Sequence, residues 1–67
     1  MAEIARLYRR AYAAKYLGMS VFLFDREVRP RLTEIPVGNS GVAFDRLDLD
    51  AWADQHKQAN GRPPERR

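Results

Sequence analysis

The tetrapeptide Leu17-Gly18-Met19-Ser20 constrains this chain more than any other stretch. It follows a helix-prone run, Ala13-Ala14-Lys15-Tyr16, and precedes the apolar segment that starts at Val21. Gly18 can take the positive φ that a sharp corner requires and that other residues resist. Ala14 stands four residues earlier on the same helix face, and small residues there let a second backbone approach closely. Ser20 sits where an N-cap belongs, its hydroxyl free to accept from an amide of the next turn. Pro30 disfavours an α-helical Arg29, so the spacing predicts a second helix from Val21 to Val28 or Arg29. Two short helices around a glycine corner form a helix-turn-helix, whose second helix can enter a DNA major groove.

Upstream of the corner, Ile4, Leu7, Tyr8, Ala11, Ala14 and Leu17 follow a helical face, with Arg6, Arg9, Arg10 and Lys15 largely outside it. Two readings of the start stay open: one continuous helix, or an arm over residues 1–8 joined to a helix that begins near Arg9. The arginines of a loose arm would suit phosphates or a groove. In the second helix Val21, Phe22, Leu23, Phe24 and Val28 are more apolar residues than one buried face needs. Phe24 and Val28, four apart, are the expected core pair, which leaves Asp25, Arg26 and Arg29 on the other side. Val21 and Phe22 occupy the first turn, where base-reading residues usually stand. They either touch thymine methyl groups or pack on a neighbouring protomer or on the arm.

Arg31 to Val37 and Val42 to Phe44 are short runs with β-branched and aromatic residues, flanking the turn Gly38-Asn39-Ser40-Gly41. That pattern predicts a β-hairpin. Pro36 lacks the amide needed for pairing on both sides, so its strand belongs at an edge. A ribbon beside a helix-turn-helix is a wing, with its tip at Gly38 to Gly41; the alternative is a hairpin that only covers the core. Asp45 then caps a third helix, with Asp48 and Asp50 near the positive end of its dipole. Leu49, Trp52, Ala53 and His56 form its expected buried stripe, Trp52 at the centre of the core. His56 is expected to be partly buried, or to face the helix C-terminal dipole, and not to bind a ligand. Asn60-Gly61 ends the helix, and residues 61–67 form a flexible basic tail.

Charge is unevenly spread. Residues 1–31 hold seven Lys/Arg and three Asp/Glu (+4), residues 32–60 two and five (−3), and residues 61–67 three and one (+2), giving the net +3. A basic unit at the two helices suits a polyanion, because each neutralised phosphate releases counterions. The chain has no cysteine and a single histidine, which excludes disulfides and thiolate metal sites and leaves His56 unable to form a zinc site alone. With no cysteine it suits a reducing compartment. No apolar run approaches the ~18 residues of a membrane span, and Glu3 and Arg6 interrupt any secretion signal at the start. No serine or threonine has an evident base partner, and a domain of this size lacks room for a substrate pocket of ~300 Å³ or more. Catalysis is therefore not expected, and neither a cofactor nor a metal is implied.

The segments Ala13 to Ser20, Phe24 and Val28, Ile35-Pro36-Val37-Gly38, and Phe44-Asp45-Arg46-Leu47-Asp48-Leu49-Asp50-Ala51-Trp52 together resemble the excisionase and AlpA-type group. These are winged helix-turn-helix proteins related to the DNA-binding domain of the MerR family, and the likeness spans about residues 10–56. It implies a mostly α fold with a small β-hairpin, with the winged domain over residues 9–60. It also implies a small bacterial or phage protein of the cytoplasm and nucleoid that binds double-stranded DNA. Members act as recombination directionality factors, bending DNA so that an integrase excises an inserted element, or as transcriptional regulators. Carried over by position, Ser20, Val21, Phe22, Asp25, Arg26 and Arg29 would face DNA from the second helix, and Asn39 and Ser40 from the wing. The basic residues Arg9, Arg10, Lys15 and Arg31 complete the expected contacts. The chain departs from the family at Val21-Phe22-Leu23, where members often carry polar or basic residues.

A single module buries only ~600–1,000 Å² on DNA. Several copies side by side on repeated sites are therefore expected, with exposed Phe22 and Leu23 supplying part of the contact between copies. Such an array would bend the duplex at ~1–6 kcal/mol, offset by the added contacts. The competing expectations are a transcriptional regulator of the same fold and an interaction module that binds another protein through the apolar helix.

Overall fold

The computed structural model describes residues 5–64; expectations that fall on Ile4 or on residues 65–67 lie outside it. Its elements are β1 (Leu7–Arg9), α1 (Arg10–Tyr16) and α2 (Val21–Leu23), then β2 (Ile35–Val37), β3 (Gly41–Asp45) and α3 (Arg46–Asn60). The fold is therefore mixed, short helices packed against a three-stranded antiparallel sheet of order β1-β3-β2. Among the described residues no helix is long and apolar enough to cross a membrane.

The corner is built as its residues require. Gly18 has φ +75°, and its amide donates to the Lys15 carbonyl at 2.9 Å while the Met19 amide donates to Ala14 at 3.0 Å. This pair of bonds is the Schellman arrangement, which satisfies carbonyls the helix end would otherwise leave open. A Cβ at Gly18 would meet nothing within 4 Å, so the glycine is required by its backbone angle and not by close packing. The close approach is made instead by Ala13 and Ala14, which are 0% and 1% exposed. Ser20 caps α2 as expected, its Oγ accepting from the Leu23 amide at 3.1 Å.

Beyond Leu23 the second helix departs from expectation. It widens into a π-helical turn over Phe24–Val28 and tightens into a 3-10 turn over Arg29–Arg31. Arg29 keeps right-handed helical angles, φ −55° and ψ −40°, and donates its amide to the Phe24 carbonyl five residues back. Pro30 therefore does not end the helix at Arg29. In a regular α-helix its ring would clash with the carbonyl of residue 26 and leave a ladder bond unmade. The wider turn upstream and the 3-10 turn downstream let the chain pass the proline while still coiled.

Tyr8 was expected on a helix face, and residues 1–8 as an arm or helical extension. Leu7–Arg9 is instead a strand, pairing Leu7 with Asp45, Tyr8 with Phe44 and Arg9 with Ala43. The partner lies more than thirty residues away, beyond the reach of local periodicity. With only three residues, the alternation of a strand cannot be told from a helical face. β2 pairs the other edge of β3, so Pro36 does lie on an edge strand, and it is exposed. Gly38 (φ +66°) opens the tight turn into β3.

The core is a cluster of Ala13, Ala14, Phe24, Val28, Phe44 and Leu49. Phe24 and Phe44 meet edge to face, ring centroids 5.1 Å apart at 80°. Trp52 is not the centre: Leu49 is the fully buried residue of α3, while Trp52 is half-buried and packs on the margin. Because α3 leaves the sheet after its first turns, its later residues have no layer beneath them. Ala53 is accordingly half-buried and His56 exposed; the histidine stacks on Trp52 with centroids 4.7 Å apart.

Two clasps tie distant parts of the chain together. Tyr16 Oη donates to Asp50 Oδ1 at 2.6 Å, joining α1 to α3, and this bond raises the phenol pKa. Arg6 grips Asp45 with both Nε and Nη2, at 2.9 and 3.0 Å. Asp45 also caps α3, accepting from the Leu47 amide at 2.9 Å. The Arg6 hydrogen bond, and then the Leu47 amide, hold the Asp45 carboxyl below its ordinary value.

Two predictions follow from the corner and the cap. Gly18→Ala should lower stability by ~1–2 kcal/mol, the cost of a left-handed L-residue, measured by urea unfolding followed by circular dichroism. A D-alanine at the same position, introduced by chemical synthesis, should lose none of it. The stabilisation from Asp45 is complete above the ordinary carboxylate range near pH ~4 and is lost as pH falls through the lower folded value. Asp45→Asn should therefore flatten the decline of Tm on acidification below that pH; an unchanged acid limb would refute the clasp.

Candidate nucleic-acid interface

Arg9 ends β1 and Arg10 begins α1, so the strand-to-helix junction projects two guanidinium groups side by side. Both are exposed. The β2–β3 hairpin reaches the same place from the opposite end of the chain, because Arg9 is the register partner of Ala43. Arg9, Arg10, Arg29, Ser40 and Gly41 consequently line one shallow depression. Four expected contact residues thus meet where three separate elements converge.

Gly41 explains how the Arg9 side chain lies there. A Cβ at Gly41 would come within 2.5 Å of Arg9 Nη2 and 2.7 Å of Arg9 Cζ, and 2.8 Å from the Val37 carbonyl oxygen. The guanidinium therefore rests directly against the backbone where the hairpin turn closes. Sequence reading assigned Gly41 to the turn alone. The close approach depends on β1 pairing with β3, which no local signal revealed.

A second shallow depression lies across Ala11, lined by Lys15, Gly18, Met19, Ser20 and Val21. Ala11 borders both depressions, so the two adjoin, end to end as a strip, at the exposed side of α1. Seven of the expected residues lie along it: Arg9, Arg10, Lys15, Ser20, Val21, Arg29 and Ser40. Asn39 is exposed in the turn immediately before Ser40. Phe22 and Arg26 occupy the outer side of the second helix, away from the buried Phe24 and Val28. Arg31 is separated from the others. It faces a groove against α3 shared with Asp48, Trp52 and Gln55.

The cations differ in how far they are already neutralised. Arg29 Nε donates to Glu34 Oε2 at 2.7 Å, tying the end of the helix to the segment that leads into β2. That bond is the main reason its guanidinium pKa is raised. Asp25, among the residues expected to face DNA, keeps a side chain 37% exposed but has Oδ1 out of solvent, 3.5 Å from both Arg10 Nε and Arg29 Nη1. Neither contact is a hydrogen bond; Asp25 acts as a counter-charge between two arginines. Arg26 Nε is taken by Glu27 at 3.1 Å. By contrast, Arg9, Lys15 and Arg31 form no ion pair among the described residues. Glu34 escaped sequence reading because the five-residue offset from Arg29, across a proline, matches no helical pairing rule.

No family model, curated protein or solved structure matches this chain.

The seat of Arg9 can be tested by a mutant cycle. Gly41→Ala should cost ~1–3 kcal/mol from overpacking. Combining it with Arg9→Ala should recover only part of that loss, because the Val37 carbonyl remains in the way. Full additivity in urea melts would show that Arg9 does not occupy the space above Gly41.

Proposed function

We infer that the chain binds double-stranded DNA as a winged helix-turn-helix module of the excisionase and AlpA type. The observation that carries this reading is the strip on which Arg9, Arg10, Lys15, Ser20 and Ser40 come together from β1, α1, the corner and the hairpin. In this reading α1 and the second helix are the two helices of the motif. The second helix enters the major groove, and the β2–β3 hairpin is the wing beside it. Arg9 and Lys15, which no described carboxylate neutralises, take phosphates. Asp25 and Glu34 fix the orientation of Arg10 and Arg29 instead of contacting bases.

The role that fits such a small module is architectural. Copies bound side by side bend a duplex near an attachment site and help an integrase to excise an inserted element. Regulation of transcription from the same kind of site is the close relative of that role. No residue of the strip is assigned a catalytic part.

Titration onto random duplex at rising salt tests the reading. Binding should weaken steeply with salt, and Arg9→Ala or Lys15→Ala should each weaken it on every sequence and reduce the slope by ~1. Arg31→Ala, on the α3 side, should leave both unchanged. Asp25→Asn, which removes a negative charge from beneath the strip, should tighten binding to random duplex. Salt-insensitive binding, or none, would eliminate the DNA reading.

A further inference from the structure

Phe22 is 72% exposed, against 63% for Tyr12 and 51% for Leu47. It stands in the first turn of α2, one helical turn before Arg26. The guanidinium carbon of Arg26 lies 5.5 Å from the centre of the Phe22 ring. Glu27 takes Arg26 Nε at 3.1 Å, while neither Nη of Arg26 donates to any described residue. The ring on one side and the carboxylate on the other therefore steady a guanidinium whose two outer nitrogens remain available. An apolar plate and a planar donor fork stand next to each other on the outermost side of the helix.

We propose that Phe22 and Arg26 together read a thymine next to a guanine in the major groove. The proposal rests on the duplex-binding reading above and names the bases its second helix selects. The thymine C5-methyl is the apolar group displayed in the major groove, and guanine O6 and N7 are the acceptors matched by a two-pronged arginine. The ring centre and the guanidinium carbon stand 5.5 Å apart on one side of the helix, so in this proposal each takes a base of its own. A thymine–guanine step is also among the easily kinked ones, which suits a protein that bends its site.

A second copy of the chain is the rival occupant of this surface. An isologous contact through Phe22 would set Arg26 against its own counterpart. The outer nitrogens of Arg26 are donors only, so base acceptors satisfy them and a facing guanidinium, which has no acceptor, does not.

The full chain would first be used to select sites from random duplex, and each thymine of the selected site would then be replaced singly by deoxyuridine, which removes only the methyl group. One replacement, next to a guanine, should weaken wild-type binding roughly fourfold, the value of one buried methyl. Phe22→Ala should abolish that sensitivity while keeping the salt slope. Arg26→Ala should lose ~5- to 150-fold on the selected site and accept any base at that guanine. Far-UV circular dichroism confirms that both exposed-site variants are folded. Salt-sensitive duplex binding that ignores every deoxyuridine would overturn this inference and leave the duplex reading intact. Phe22→Ala that keeps single-site affinity but loses cooperativity between copies would assign the surface to a second copy instead. Absence of salt-sensitive binding would remove both readings, the duplex one first.

Discussion

The contact between Phe24 and Phe44 is the interaction on which the rest of this structure depends. Each ring is fully buried, and they meet edge to face, an arrangement worth ~0.5–1.5 kcal/mol beyond the area it buries. One ring comes from the second helix and the other from the middle strand of the sheet. Through that contact the helices and the hairpin acquire a fixed relative position. Ala13 and Ala14 admit it by being small, since a larger side chain on α1 would hold the second helix away. Leu49 and Val28 close the remaining sides of the same cluster. In a domain of this size little else is available: the seven fully buried hydrophobic residues are the core, and no polar or charged described residue is buried with them.

The central strand turns that core into a surface. β3 carries β1 on one edge and β2 on the other, so the end of β1 and the hairpin turn are drawn to the same end of the sheet. Arg46 donates its amide to the Arg6 carbonyl at 2.8 Å, and Arg6 grips Asp45, which extends the pairing into the first turn of α3. This closure sets Arg9 and Arg10 beside Ser40. The strip therefore joins the basic stretch that runs from Arg9 to Arg29 with a hairpin serine roughly thirty positions beyond Arg10.

Neutralisation of that strip is selective. Arg29 and Arg10 share Asp25, Arg29 has Glu34 and Arg26 has Glu27, whereas Arg9 and Lys15 form no ion pair among the described residues. Counter-charges of this kind contribute little to stability when exposed. Their consequence is positional: they restrict long side chains to one direction and lower the repulsion among the cations. On the proposed function, this separates residues that orient the second helix from residues that take phosphates.

Local rules determined much of this protein. The glycine corner, the Ser20 and Asp45 caps, the Phe24–Val28 pair, the edge placement of Pro36 and the end of α3 at Asn60 each follow from neighbours within a few residues. Such features need only a dihedral preference, a single hydrogen bond or one helical repeat, and the sequence states them directly. What crossed the chain was decided by tertiary structure alone. The β1 strand, the Arg9–Gly41 contact, the removal of Arg31 to the α3 side, the seat of Asp25 Oδ1 between Arg10 and Arg29 and the marginal position of Trp52 all depend on which distant element arrives alongside. The π-helical turn before Pro30 belongs with them, because it is the turn that carries the buried Phe24 and Val28 into the core. Short-range energies choose the pieces, and the few buried contacts between pieces choose where each charged side chain ends.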